Sequence, residues 1–207
     1  GFRLGPRLNA AGRMEHAKRA LDLLMSTSAD EAATQAKYLN DLNIQRQADT
    51  KDIYDAANAM AKVDDNPILV LSHPDWSHGV VGIVASRIVE RHHKPTILLQ
   101  ELEDGSAKGS ARSVDGVSII DAIANCQQLL TKYGGHQFAA GVTVPIDKIA
   151  EFRAQINDYA KQNVLVKPKQ LTIDAQLDLA MLNLELLAAI QQLRPFGREN
   201  TEPVLVS

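Results

Sequence analysis

The chain has 207 residues, of which 45% are hydrophobic and 23% charged, with a formal net charge of −3 and a pI near 6.1. This composition is ordinary for a globular protein and excludes binding of nucleic acid through a strongly basic overall charge. Any site for a polyanion must therefore be a local patch. No run approaches about 18 consecutive apolar residues, so no membrane span is expected.

Cysteine usage and the chain ends give further expectations. Cys126 is the single cysteine, which excludes an internal disulfide and predicts a reducing, cytoplasmic location. It lies among apolar residues of a predicted helix, so packing is expected rather than catalysis. The chain begins at Gly1 without a signal-peptide pattern and ends at Ser207 in the first residues of a predicted strand. These features predict a fragment of a longer protein.

The first 64 residues are predicted to be mainly helical. Residues 5–13, Gly-Pro-Arg-Leu-Asn-Ala-Ala-Gly-Arg, predict a compact loop, either a surface turn or a loop that contacts phosphate or an interface. A helix is predicted at residues 15–25, and Ser28 with Glu31 forms a capping-box pattern. Residues 29–61 contain no proline or glycine and predict one long helix, or two with a slight break. Its thin apolar stripe is typical of a helix that bridges two domains.

One face of that long helix carries Asn40, Asn43 and Arg46, because a three-residue spacing keeps side chains on the same side. Either this face is solvated, or it contacts a neighbouring domain.

Residues 67–163 predict an α/β domain with a mixed sheet of four or five strands. A buried strand at 68–72, a helix at 77–91 and a strand at 95–100 form a βαβ unit with parallel strands. The elements predicted after this unit are a strand at 106–113, a helix at 118–131, a loop at 134–136, a strand at 139–144, a helix at 146–162, a linker at 167–169, a strand at 170–175, a helix at 182–193 and a turn at 196–200.

Two glycine-containing segments of this domain are candidates for an anion site. Ser110 offers a hydroxyl donor and Arg112 a planar guanidinium matched to phosphate oxygens. Gly135 and His136 belong to the second segment, where glycine lets the backbone approach a ligand closely. Neither segment has the residues of a metal cage or of a nucleophile with its base. The pair is therefore predicted to hold a phosphorylated ligand without cutting it.

Simpler interpretations remain open for these residues. Ser110 and Arg112 alternate along one strand, so both could face solvent or a surface carboxylate. His136 could cap a helix or bond a backbone carbonyl. Trp76 fits a lid over a helix N-terminus better than a base-stacking platform. His92 and the histidine after it fit a helix C-terminus favoured by the dipole when protonated, rather than a metal site.

Six motifs occur in family order along the chain and together resemble the RecJ family of single-strand-specific exonucleases, which carries an Asp-His-His (DHH) catalytic domain. Glu199 departs from the family pattern, which usually has a glycine there. The motifs are residues 5–13, the Asn40/Asn43/Arg46 face, Trp76 with residues 78–87, Gly-Ser-Ala-Arg-Ser at 109–113, Gly-Gly-His-Gln-Phe-Ala-Ala-Gly at 134–141, and residues 195–203.

The resemblance implies that the parent protein is a 5′→3′ single-stranded-DNA exonuclease of DNA repair and recombination. Its Mn²⁺ or Mg²⁺ ions would be held by an N-terminal domain that this chain lacks, so no catalytic or metal-binding residue is expected here and the fragment should be inactive alone. Its partners would be single-stranded DNA with a 5′ end and the missing catalytic domain of the same chain. No membrane partner is expected.

The resemblance also assigns parts of the chain. Ser110 and Arg112 match positions that grip the 5′-terminal phosphate, with Gly135 and His136 beside them. Arg13 and Asn9 would face the cleft from the catalytic side. The implied domains are the end of the catalytic domain at 1–14, bridging helices at 15–64, a DHH-associated α/β substrate-binding domain at 65–165, and a linker with the start of an oligonucleotide-binding barrel at 166–207.

Two alternatives compete with this interpretation. One is a small oligonucleotide or phosphoester hydrolase of the same superfamily, which residues 5–13 and 195–203 disfavour because they fit the longer layout. The other is a non-catalytic nucleic-acid-binding module for a nucleotide or tRNA end, similar to the related domain of alanyl-tRNA synthetases.

Overall fold

The computed structural model describes residues 2–163, 171–197 and 199–207. The chain divides into two compact units, Gly1–Lys167 and Pro168–Ser207. No helix in these described ranges is both long enough and apolar enough to cross a membrane.

The segment predicted as a compact loop is a helix, α1 (Leu4–Met14). The prediction was wrong because its proline and one of its glycines lie where a helix tolerates them. Pro6 is in the first turn, where a backbone N–H has no partner within the helix. Gly12 is in the last turn. Between them, Ala10 and Ala11 are fully buried, in a cluster with residues of the third helix.

The long polar helix is confirmed as α3 (Ala29–Lys62), a single helix of 34 residues. The Ser28 side chain accepts a hydrogen bond from the Glu31 backbone N–H at 3.4 Å, as the capping pattern predicts. The first half of α3 packs against α1 through Leu39 and Leu42. The second half packs against the α/β domain through residues such as Ile53. The helix before α3 is shorter than predicted, α2 (Lys18–Met25).

A five-stranded mixed sheet forms the centre of the α/β domain, in the order β1-β2-β3-β5-β4. β1 and β2 are parallel and joined through α4, and the other neighbouring pairs are antiparallel, so the predicted fold class is confirmed. The elements are β1 (Leu69–His73), α4 (His78–His92), β2 (Thr96–Glu101), β3 (Ser106–Arg112), α5 (Ile119–Ala124), β4 (Lys132–His136), β5 (Ala139–Pro145) and α6 (Ile149–Asn163).

Two predictions in this domain were wrong. The glycine loop at 134–136 is part of strand β4, because pairing with β5 supplies the hydrogen bonds that its glycines do not favour by themselves. The helix predicted at 118–131 ends at Ala124 and continues only as a 3₁₀ turn at Gln127–Leu129. The chain has to reverse there to enter β4 at Lys132.

Helices cover the two faces of the sheet unequally. α5 and α6 pack over one face, where Val142, Val144 and Phe152 are buried. α4 and α3 cover the other face only over β1, β2 and the near side of β3. Burial alternates along β3 and β5, as expected for strands with one buried and one open face. The open face of β3, β5 and β4 is called the platform below.

Asn157 of α6 fastens the helix layer to strand β1 and should be critical for stability. Its side chain accepts from the Ile68 N–H at 2.8 Å and donates to the Ile68 and Arg153 carbonyls at 3.0 and 2.9 Å. Asn157→Leu leaves buried backbone groups unpaired, so we expect a loss of about 2–4 kcal/mol in the free energy of unfolding, measured by urea denaturation. The control Asn163→Leu removes an exposed bond and should change little. Equal stability of the two variants would contradict the prediction.

The second unit contains a short parallel pair, β6 (Ala175–Gln176) and β7 (Leu205–Val206), with α7 (Leu184–Gln191) between them in sequence. Of the strand predicted at 170–175, only its last residue is in β6, and residue 170 lies outside the described residues. The linker predicted at 167–169 also lies outside them, as does part of the turn predicted at 196–200. The Asn183 side chain caps α7 by accepting from the Leu186 N–H at 2.8 Å.

Candidate anion-binding site

The platform has rows of residues that follow from its strand register. Each row contains one residue from β3, one from β5 and one from β4, all projecting to the same face. The rows are Lys108–Thr143–Lys132, Ser110–Gly141–Gly134 and Arg112–Ala139–His136. The middle row is small in every position, so the platform is a shallow floor with cationic or imidazole side chains at both ends of the outer rows.

Helix α4 runs along the β3 edge of the platform and leaves space at one glycine. A Cβ atom at Gly82 would lie 3.0 Å from an Nη of Arg112 and 3.1 Å from Oγ of Ser110. These two side chains therefore lie close together beside α4, an arrangement that a shared anion site would require. The orientation of the Arg112 guanidinium is partly fixed, because its Nη1 donates a hydrogen bond to the Ala111 carbonyl oxygen at 2.8 Å.

Arg112 belongs to a cluster of arginines from four different elements. Arg13 of α1, Arg87 of α4 and Arg112 of β3 line an open cavity of about 370 Å³, together with Ser86 and one carboxylate, Glu90. Burial lowers the pKa of Arg112, and the nearby charge of Arg13 lowers it further. The pKa of Arg46 on α3 is lowered mainly by burial and then by Arg13 and Arg87.

The effects of Arg13 on both groups and of Arg87 on Arg46 indicate that these like charges lie close together. Among the described residues, no ion pair includes Arg13, Arg46, Arg87 or Arg112. A self-repelling, unpaired group of guanidinium ions is complementary to a ligand that carries more than one negative charge. Arg46 and Arg87 belong to motifs of the sequence but were not predicted as site residues. The sequence alone does not show that the four elements carrying these arginines lie close together.

The two other members of the predicted Asn40/Asn43/Arg46 face have structural partners. Oδ1 of Asn43 accepts from Nε and Nη2 of Arg46 at 3.3 and 3.0 Å, which orients that guanidinium. Oδ1 of Asn40 accepts from Nε of Arg7 in α1 at 2.9 Å. Asn40 therefore contacts a second helix, whereas Asn43 and Arg46 bond to each other within α3.

Arg13 and Asn9 lie four residues apart and share one face of α1. Arg13 reaches α4, where its Nη1 donates to the Gly79 carbonyl at 3.3 Å. The backbones are close here, since a Cβ atom at Gly79 would lie only 1.9 Å from the Arg13 carbonyl oxygen. Asn9 is exposed, and no hydrogen bond in the described part of the chain involves its side chain.

Gly135 and His136 occupy different faces of β4. Gly135 has a φ of 152°, and a Cβ atom there would lie 2.4 Å from the Ala139 carbonyl oxygen, so the position requires glycine. Its role in the fold is steric, and only its backbone could meet a ligand. His136 is exposed in the platform row of Arg112. The side chain of His136 neither caps a helix nor bonds a carbonyl in the described residues.

Two other residues named from the sequence are structural. Trp76 is buried beside the start of α4 and stacks on His73 with 5.9 Å between ring centroids, so it is not a platform for bases. His92 is the last residue of α4, with Nε2 2.8 Å from Oδ1 of Asn58. The predicted helix C-terminus is confirmed. Burial and then nearby Arg91 lower the pKa of His92, which opposes the protonated form that the helix dipole would stabilise.

The cysteine and the candidate metal ligands add no further chemistry. Cys126 is buried, and burial raises the pKa of its thiol to about 11, as expected for a packing residue. Within residues 2–163, 171–197 and 199–207, no group of three or more His, Cys, Asp or Glu side chains could hold a metal ion. The described donor set therefore does not fit a metal centre.

Comparisons with known proteins identify similar domains. The DHHA1 domain family matches residues 65–162, and the RecJ OB domain family matches residues 173–207. The chain is 37% identical to the single-stranded-DNA-specific exonuclease RecJ of Bacillus subtilis over 98% of this chain and 26% of the relative. It is 32% identical to the Escherichia coli protein of the same name over 99% of this chain and 37% of that relative.

A solved structure is similar over the same extent. The crystal structure of RecJ in complex with Mg²⁺ from Thermus thermophilus matches with a TM-score of 0.86 and 32% identity, over 98% of this chain and 32% of that chain. A structure of the same enzyme in complex with Mn²⁺ gives a TM-score of 0.85. This chain therefore spans only 26–37% of the curated relatives that it matches.

Proposed function

Because the chain belongs to the RecJ family, whose DHHA1 domain and OB-domain region it spans, we propose that it supplies the phosphate-recognition side of a single-stranded-DNA exonuclease. The observation that carries the proposal is the unpaired arginine cluster around Ser110 and Arg112. The preferred ligand is the 5′-terminal phosphate of a single strand. A terminal phosphate has more negative charge than a phosphodiester, so it matches a site where cations repel one another.

Each predicted site residue has a role in this proposal. Ser110 and Arg112 hold the phosphate oxygens, with the hydroxyl as donor and the guanidinium as a two-point charged donor. Arg13 closes the site from α1, and Asn9 lies one turn away on the same helix face. His136 lies in the platform row that contains Arg112, and the Gly135 backbone is next to it. Arg46 and Arg87, which the sequence did not predict as site residues, complete the positive surface.

The chemistry of cleavage is assigned to another region. Relatives named RecJ have been crystallised with Mg²⁺ or Mn²⁺, whereas the described residues of this chain offer no cluster of metal ligands. We infer that the metal-binding catalytic domain belongs to the part of the relatives that this chain does not cover. Such metals activate the attacking water. Holding the terminal phosphate at Arg112 would then fix which phosphodiester reaches the metals and would account for 5′→3′ polarity.

The same proposal assigns the domains and the setting. The activity belongs to DNA repair and recombination in the cytoplasm. The proposed domains are the end of the catalytic domain at 1–14, the bridging helices at 15–64, the substrate-binding domain at 65–165, and the linker with the start of the oligonucleotide-binding barrel at 166–207. The OB-domain match disfavours the smaller hydrolase and the tRNA-end module considered from the sequence.

Binding to strands with different ends tests the proposal. We expect this chain to bind a short 5′-phosphorylated single strand at least about tenfold more tightly than the same strand with a 5′-hydroxyl, because one charge-assisted contact is lost. A 3′-phosphorylated strand is the control, since it has the same added charge at the other end. The strands should remain uncut at any Mn²⁺ concentration. Equal binding of the three strands, or Mn²⁺-dependent digestion by a clean preparation, would overturn the proposal.

A further inference from the structure

We propose that the platform carries a second phosphate subsite, formed by Lys108, Lys132 and Thr143, which binds the next phosphate of the same strand. This inference rests on the proposed function, because it takes the terminal phosphate to be at Ser110 and Arg112. It adds a substrate requirement: the second subsite is engaged only by ligands with at least two phosphates.

The first support is the shape of the region. Lys108 and Lys132 lie at the two ends of one platform row, with Thr143 between them. Both lysines are exposed. They line an open cavity of about 380 Å³ whose other walls include His78 of α4 and the glycines at 109, 134 and 141. A Cβ atom at Gly134 would meet nothing within 4 Å, so the floor is open to a ligand.

The second support is spacing. Lys108 lies two residues before Ser110 in β3, so the two subsites are about 6.7 Å apart along the strand. Helix α4 keeps the same register, because His78 borders the lysine cavity and Gly82, four residues later, borders Ser110 and Arg112. Four helical residues rise about 6 Å. The groove between α4 and β4 therefore has two positively charged positions, and the distance between them is about the length of one nucleotide of backbone.

Charge points to a polyanion as the occupant. No ion pair in the described ranges includes Lys108 or Lys132. Asp104 lies near Lys108, and its pKa is lowered chiefly by hydrogen bonds from Ser106 and further by the charge of Lys108. A lysine ammonium on a flexible stem is a point charge that suits a phosphate in any orientation.

The lining also indicates which part of the strand lies there. Its single aromatic residue, Tyr133, is held by its hydroxyl, which donates to Oε1 of Gln127 at 3.2 Å. The floor otherwise consists of glycines and Thr143. The one other ring among the lining residues, the exposed imidazole of His78, lies on the α4 wall rather than on the floor. The subsite therefore contacts the sugar-phosphate backbone and should not depend on sequence.

The test uses one-phosphate and two-phosphate ligands. The ligands are 5′-phosphorylated thymidine and 5′-phosphorylated dithymidine, and binding is followed by NMR titration of the whole chain, which detects millimolar affinities. The variant is the double substitution Lys108→Gln with Lys132→Gln. The control is Lys62→Gln, which removes a positive charge from an exposed residue at the end of α3, away from the platform.

We expect the double variant to bind the dinucleotide about tenfold more weakly, with the slope of log affinity against log salt reduced by about 0.7, since one phosphate is no longer neutralised. Binding of the mononucleotide should stay within twofold, and Lys62→Gln should bind both ligands normally. Equal weakening for both ligands, or no weakening for either, would overturn the second subsite. Resonance shifts at Ser110 and Arg112 without shifts at the lysines would also reject it and leave the proposed function standing. No shifts at either place would reject both.

Discussion

Replacing Arg112 by glutamine is expected to abolish the preference of this chain for a 5′-phosphorylated strand over the same strand with a 5′-hydroxyl. The guanidinium of Arg112 is half-buried beside Ser110, and its own pKa is lowered by burial and by Arg13. A charge-assisted contact of this kind contributes about 1.5–3 kcal/mol, or roughly 10- to 150-fold in affinity. Fluorescence anisotropy with the two labelled strands measures the preference directly.

Two matched variants separate the site from general charge. Arg91→Gln removes one positive charge from the last turn of α4, and this variant should keep the preference for the 5′-phosphorylated strand. Arg112→Lys keeps the charge but loses the two-point geometry, so we expect an intermediate preference. Retention of the full preference by Arg112→Gln would mean that Arg112 has a structural role and that the phosphate is held elsewhere.

Replacing Gly79 by valine is expected to separate α1 from α4 and to weaken phosphate binding without unfolding the sheet. The Cβ atom would lie 1.9 Å from the Arg13 carbonyl oxygen, which is backbone and cannot rotate away. Overpacking of this kind costs about 1–3 kcal/mol. Because Arg13 is anchored at the same contact, its guanidinium would leave the cluster. We expect a lower midpoint of thermal unfolding and a binding loss of about tenfold, from the loss of one charged contact.

The control for this variant is Gly5→Val. Gly5 also lies in a helix, but a Cβ atom there would meet nothing within 4 Å. The Gly5→Val variant therefore makes the same glycine-to-valine substitution in a helix without forcing two backbone segments apart. If Gly79→Val unfolds at the same temperature as Gly5→Val and binds the phosphorylated strand normally, the contact between α1 and α4 does not position Arg13.

The sequence was sufficient where a pattern is long or strongly apolar. The helix α3 was predicted from an uninterrupted run of helix-forming residues, and the parallel β1–α4–β2 unit from two apolar runs around a helical period. The predictions for α1 and β4 were wrong because glycine and proline were read as breakers. In α1 they occupy helix ends, and in β4 the pairing partner across the sheet, not local preference, determines the conformation.

The candidate site was only partly predictable for a related reason. Ser110 and Arg112 alternate in one short strand, so their common face could be inferred from the strand period. Arg87 lines the cavity of Arg13 and Arg112 from α4. Arg46 of α3 lies near enough to Arg13 and Arg87 for their charges to lower its pKa. Only packing brings these elements together. The structural role of Asn157 could not be predicted from the sequence either, since a buried asparagine that bonds the backbone cannot be distinguished there from an exposed one.

The origin of the cluster in four elements couples ligand binding to the assembly of the unit. Arg13, Arg46, Arg87 and Arg112 come from α1, α3, α4 and β3, and without a counter-ion their mutual repulsion works against the packing that brings them together. An anion reverses the sign of that effect. A bound anion would attract all four segments, and by mass action it would stabilise the assembled form over any form in which α1 has detached. The terminal phosphate would then be a structural element of the closed protein for as long as it stays bound.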